Sequence, residues 1–214
     1  MDDPAGKVKE YLAFVSEYAD YYLQSPMMTF ILDERSLLDF MERDGRSIGI
    51  MSRSPYVIFV SDLVVDGNGK MMVYQRVIPT NKGGVVIVPI FKGRYLLLEQ
   101  YRHIIGSNQL CFPRGFGERD LDAEDNARAE MLQETGCREC DMEYIGRIHP
   151  DSGMMASVVD VYRCVMHDMD VQIGHEGIIG YTLVEGSELE RMISDGEITD
   201  GFTLSAYALC KVRS

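Results

Sequence analysis

Tryptophan is absent from this chain of 214 residues, so aromatic stacking on a ligand falls to its 12 Tyr and 8 Phe, or to Arg. Basic residues are scarce. The 21 Lys and Arg face 34 Asp and Glu, for a formal charge of −13. A protein that grips a phosphate backbone gains affinity by replacing counterions with Lys and Arg, so this balance disfavours a general nucleic-acid binder. No apolar run approaches the roughly 20 residues of a membrane span; residues 85–91 are among the longest. The five cysteines (111, 137, 140, 164 and 210) are odd in number and scattered, which is no disulfide framework. Cys137 and Cys140 make a C-x-x-C pair, but no second pair follows at zinc-ribbon spacing, so all five read as reduced thiols. The opening Met1-Asp2-Asp3-Pro4 is acidic where a leader would be basic. Composition and opening together lead us to expect a soluble, cytoplasmic protein of one good-sized domain, or one domain plus an appendage.

Hydrophobic periodicity predicts a helix over residues 7–24, where Val8, Tyr11, Leu12, Val15, Tyr18 and Tyr22 recur at steps of three and four. A second is predicted over 34–42. Neither holds a pattern of catalytic residue types, so residues 1–50 read as a helical N-terminal extension and 51–214 as the functional domain. The texture then turns to strands: 56–60, 71–77 after the Asp66-Gly67-Asn68-Gly69 turn, then 84–91 and 94–99 joined by Lys92-Gly93. A helix is predicted from Asp122 to Gly136, with Asp122 as N-cap and Gly136 as the C′ residue. Further strands are expected near 142–148, 157–165 and 177–185, and helices near 187–194 and 203–212. Strands and helices do not alternate regularly, which points to an α+β class.

The chemistry concentrates around the helix at 122–136. Glu130 and Glu134, four residues apart, project from one face. Ahead of them lies Phe112-Pro113-Arg114-Gly115-Phe116-Gly117-Glu118, a Gly-rich loop whose backbone can approach a ligand closely. Loop carbonyls and paired carboxylates together are the oxygen donors that Mg²⁺ or Mn²⁺ prefers.

These residues resemble the signature of the Nudix hydrolases, G-x5-E-x7-R-E-U-x-E-E-x-G-U with U a bulky apolar residue. Gly115 opens the box, Glu130 and Glu134 take two glutamate positions, Met131 an apolar one, and Gly136-Cys137 close it. Three positions depart: Leu121 replaces the early Glu, Ala129 the Arg, and Gln133 the middle Glu. Outside the box, Glu99-Gln100-Tyr101-Arg102, Leu110-Cys111-Phe112-Pro113 and the stretch from Asp195 through Asp200 and Thr203 to Ala206 are similar to the ADP-ribose and nucleoside-diphosphate-sugar pyrophosphatases within that family.

The resemblance implies a mixed β-sheet between helices and metal-dependent hydrolysis of a nucleoside diphosphate linked to a sugar. It implies Mg²⁺, with Mn²⁺ an alternative, held by Glu130, Glu134, the Arg114 carbonyl and Glu176. Glu134 and Glu176 would be catalytic, and Arg102 and Arg114 would meet the substrate phosphates. Should Glu176 not serve as base, His175 and Glu118 come next. A homodimer is also implied, and no nucleic-acid or membrane partner. Ala129 and Gln133 leave a second reading open: a Nudix-fold module that binds a nucleotide sugar without cleaving it. A different nucleotide substrate also stays open.

Overall fold

The computed structural model describes residues 3–81, 83–117 and 120–213. These divide into two compact units, the first made of the chain up to Thr80 together with Asp151–Ser157, the second of Asn81–Pro150 and the chain from Val158 onward.

The first unit packs two helices, α1 (Pro4–Glu17) and α2 (Glu34–Asp44), with four strands: β1 (Met28–Phe30), β2 (Gly49–Arg53), β3 (Val57–Asp66) and β4 (Met71–Pro79). Both β1 and β2 pair with β3, and β4 pairs with it along its length, all antiparallel. The first helix stops at Glu17, short of the predicted 24; a single 3₁₀ turn at Ala19–Tyr21 follows. The predicted stripe still buries Val8, Tyr11, Val15 and Tyr22, alongside Phe14, Leu37 and Phe40. One charge sits wholly inside this core. Asp62 accepts from the Tyr11 hydroxyl at 2.7 Å and from Arg76 Nε at 2.6 Å, and the Arg76 guanidinium lies against the Tyr22 and Phe30 rings. A buried carboxylate needs such partners.

The second unit is built on a seven-stranded mixed sheet. Its strands are β5 (Gly84–Phe91), β6 (Arg94–Arg102), β7 (Ser107–Cys111), β8 (Arg114–Phe116), β9 (Cys140–Ile148), β10 (Val159–Met166) and β11 (Ile178–Val184). The main path runs β11-β6-β5-β10-β9, with β10 parallel to β5 and the other pairs antiparallel. The hairpin at Lys92-Gly93 forms as predicted, both residues having positive φ (51° and 78°), as a tight two-residue turn requires. Beyond it β5 and β6 pair at only two positions and then separate. Past that point β7 takes β6 as its partner and β8 takes β5.

Strand β5 is apolar on both faces because both are covered. Val86 and Val88 join the core under α4 (Gly186–Ser194) and α5 (Gly201–Arg213), while Val85 and Ile87 join Ala127 and Met131 of α3 (Ala123–Thr135) on the other face. The predicted α+β class and the mixed sheet between helices are therefore observed. Among the described residues no helix is long and apolar enough to cross a membrane.

Candidate active site

Helix α3 carries the two box glutamates and is delimited as the sequence predicts. The Asp122 carboxylate accepts from the Asp125 N–H at 2.9 Å, and Gly136, with φ +67°, ends the helix. Glu134 is 2% exposed, Glu130 partly buried, and Gln133 lies at the surface. At 100° per residue, Gln133 stands 60° from Glu130 and 100° from Glu134, on the solvent flank.

The Gly-rich segment is only partly a loop. Residues 114–116 form the short strand β8, which corrects the expectation of free backbone there. The Ile87 N–H donates to the Pro113 carbonyl at 3.0 Å, and the Gly117 N–H to the Gly83 carbonyl at 2.8 Å. In an antiparallel ladder alternate residues direct both backbone groups to the partner strand. Arg114 is the intervening residue. Its N–H turns away from β5 and donates to Glu134 Oε2 at 3.1 Å. Its carbonyl leaves the ladder on that same side, so the Arg114 carbonyl stays available while its neighbours are paired.

Glycine at 115 is demanded by proximity. A Cβ there would fall 1.6 Å from Glu130 Oε1, so the glutamate lies directly against the glycine backbone. A second tie between this segment and α3 is one the sequence reading missed. Buried Asn126 donates from Nδ2 to the Phe116 carbonyl at 3.2 Å. Its position in the first half of the helix carries no residue-type signal that would have singled it out.

Electrostatics bring the expected group together. Burial, then the charge of Glu130, and further the charge of Glu176 push the Glu134 carboxyl up to about 8; the Arg114 N–H and the Arg102 guanidinium oppose the rise. Thus Glu130, Glu134, Glu176, Arg102 and Arg114 act on one point, although the three carboxylates do not close to the 4.8 Å mutual spacing seen in a thiol cluster of this unit. Glu176 is exposed, and its φ of +49° is a region that non-glycine residues seldom occupy. Buried Gln100 holds it there, donating from Nε2 to the Glu176 carbonyl at 2.7 Å, while the Tyr101 N–H donates to the Gly177 carbonyl at 2.9 Å. Arg102 reaches Cys111 Sγ through Nη2 at 3.4 Å, and its buried Nε has no partner among the described residues.

The Arg114 side chain is already engaged. It lies 3.0 Å from Asp200 Oδ1 and 4.2 Å over the Phe202 ring, and burial lowers its pKa against the pull of Asp200. Asp200 in turn accepts from the Thr203 hydroxyl at 2.7 Å, and that hydroxyl accepts from the Phe112 N–H at 2.9 Å. The C-terminal Asp200 and Thr203 therefore fix the segment that carries Arg114, at a distance in sequence of about 90 residues that no spacing argument reveals. A cleft of about 430 Å³ beside the same segment is lined by Gly83, Gly117, Asp122, Asn126 and Arg147 but by none of the three glutamates. Charge rather than depth marks the site. Glu118 lies outside the described residues, and His175, next to Glu176, is exposed.

No protein-family model matches the chain. It is 27% identical over 94 residues to the ADP compounds hydrolase NudE of Escherichia coli (strain K12), a match over 44% of this chain and 50% of that protein. The chain thus matches about half the length of this curated relative. Among solved structures it is similar to a crystal structure of an ADP compounds hydrolase, with a TM-score of 0.67 and 20% identity, covering 77% of this chain and 90% of that one. The fold is the Nudix fold that the box resembles.

Proposed function

We propose, with the Nudix fold as premise, that this chain is a divalent-cation-dependent pyrophosphatase acting on ADP-ribose or another nucleoside-diphosphate sugar. The observation that carries the reading is Glu134: a carboxylate 2% exposed and pushed up to about 8 beside two further glutamates. Such a group is stabilised as an anion by a cation, and the donors around it are hard oxygens of the kind Mg²⁺ and Mn²⁺ favour. Glu130, Glu134 and the Arg114 carbonyl would hold the ion, with Glu176 as a further ligand or as the base. A divalent ion there supplies charge neutralisation on the diphosphate and a more acidic water. The relative, an ADP compounds hydrolase, supports the substrate class.

In this reading Glu176 takes the proton from the attacking water, held at the site by the Gln100 contact. Arg102 turns its unpartnered Nε toward the non-bridging phosphate oxygens. Arg114 contributes backbone rather than charge, because Asp200 occupies its guanidinium. The substrate's P–O–P bridge breaks with water adding to one phosphorus, giving a nucleoside monophosphate and a sugar phosphate. None of these groups lies in residues 1–50, which we read as an extension to the hydrolase domain of 51–214, although the compact unit that holds those residues runs on to Thr80 and includes strands as well as helices.

Incubation with ADP-ribose and Mg²⁺ is expected to yield AMP and ribose phosphate, seen by mass spectrometry, and excess chelator should stop the reaction reversibly. Chelator-resistant cleavage, or no cleavage of any nucleoside-diphosphate sugar, removes the proposal. Gln133, which is exposed, and Ala129 in place of the box Arg favour the second reading, a binding module. Its signature would be saturable ADP-ribose binding by calorimetry with no product. Arg102→Ala separates a substrate contact from a structural one. Loss of a hydrogen bond to a charged group, about 1.5–3 kcal/mol, should lower kcat/KM roughly 10–100-fold while the melting temperature hardly moves.

A further inference from the structure

We propose that Cys137, Cys140 and Cys164 form a binding site for one Zn²⁺ ion, separate from the carboxylate site and independent of the pyrophosphatase reading. The three Sγ atoms lie within 4.8 Å of one another, and no other group of three or more His, Cys, Asp or Glu among the described residues gathers in this way. Three elements bring them together. Cys137 follows the Gly136 that ends α3, Cys140 opens β9, and Cys164 sits in β10, where its register partner is Met142. Side chains two residues apart on paired strands share a face, so Cys140 and Cys164 both point to the α3 side of the sheet.

The spacing suits zinc. With Zn–S bonds of about 2.3 Å, tetrahedral geometry sets neighbouring sulfurs roughly 3.8 Å apart, so the thiols need to close by about 1 Å or less. Thiolate ligands select zinc over the hard cations that the glutamates suit. The fourth position is left to water: the Cys137 thiol donates to the Glu139 carbonyl at 3.4 Å, and the Asp168 carboxylate stands nearby as an outer partner whose charge acts on Cys137. One of its oxygens, Oδ1, is pinned by the N–H groups of Arg138 at 2.9 Å and Glu139 at 3.0 Å, which orients the carboxylate. Three thiolates around Zn²⁺ carry excess negative charge. Arg128 answers it, with Nη1 at 3.6 Å from Cys140 Sγ and 3.3 Å from the Cys140 carbonyl. On binding, each thiol proton leaves to solvent as its sulfur bonds the metal, with no change of oxidation state. The ion would tie the C-terminal end of α3, three residues beyond Glu134, to the edge strand β9 and its neighbour β10.

The test uses the full chain. After incubation with one equivalent of Zn²⁺ and desalting, elemental analysis should find one zinc per chain, and the melting temperature should rise. Co²⁺ in its place should give an intense thiolate-to-metal charge-transfer band, which oxygen-bound cobalt at the glutamates does not produce. Cys140→Ser, at a half-exposed position, should abolish the band and weaken zinc binding by more than the 10–100-fold typical of losing an outer partner. Asp168→Asn should weaken it within that range, and Cys210→Ala should leave it intact. Should Cys164→Ser fail to fold, Cys140→Ser decides alone. Absence of the band in the unaltered protein, or unchanged zinc affinity in Cys140→Ser, overturns the site.

Discussion

Replacing Glu134 by Gln is expected to abolish hydrolysis while making the metal-free protein more stable at alkaline pH. The amide keeps the side chain's length, and its oxygen can still accept from the Arg114 N–H. What it lacks is charge. In the native chain burial and the neighbouring glutamates raise the Glu134 pKa from 4.5 to about 8. The sign follows from linkage. Below the unfolded value of 4.5 both states are protonated and Glu134 costs nothing. As pH rises toward 8 the unfolded chain ionises freely while the folded one resists, so folding weakens through this window. Above about 8 the buried anion persists at its full cost. Chelator-treated Glu134→Gln lacks that decline and should gain roughly 1–3 kcal/mol over the native chain at pH 8, and close to nothing at pH 4.5. Turnover should fall by at least 10²-fold, the scale on which removing one stabilising group in an active site is felt. Denaturant curves at the two pH values and a product assay with Mg²⁺ check both halves. Unchanged turnover would take Glu134 out of the site, and equal stability at both pH values would mean its charge is not opposed by its surroundings.

Gly115→Ala should have the second largest effect, through a residue that contacts no substrate. The added methyl carbon would land 1.6 Å from Glu130 Oε1, with the rest of that carboxylate also within 2.6 Å. Something must give, and the glutamate side chain moves more readily than a backbone held between β5 and α3. On its other side β8 is held in register with β5, Gly115 opposite Val85, so the strand has little freedom to retreat. A shift of about 1 Å in a metal-holding group costs about 10²-fold in rate, which is the expected loss in kcat. Overpacking should cost stability by about 1–3 kcal/mol. The informative measurement is the Mg²⁺ dependence: half-maximal activation should move to higher Mg²⁺, because the ligand rather than the substrate contact is displaced. Native turnover with native Mg²⁺ dependence in this variant would separate Glu130 from the chemistry.

Local sequence determined most of the elements, because their signals are local. Helix α3 is legible from Asp122 to Gly136 since a side-chain N-cap and a left-handed glycine act within a few residues of the ends they define. The Lys92-Gly93 hairpin and the apolar run of β5 are legible for the same reason. The glutamates at 130 and 134 share a face by helix geometry alone. The short strands β1, β2, β7 and β8 were not legible, because three to five residues hold too little periodicity and each exists by virtue of a distant partner. The same limit applies to the site. Only the fold carries Glu176 from the start of β11 to the field of Glu134, in a backbone conformation that Gln100, 76 residues earlier, keeps in place. Only the fold gives the Arg114 guanidinium to Asp200 and leaves its backbone facing α3. And the thiols at 137, 140 and 164, which spacing reads as a single incomplete pair, meet because β10 pairs with β9 beneath the end of the helix. Sequence spacing governs contacts within a helix turn or a hairpin; convergence of charges from separate elements is set by strand register, which no single segment encodes.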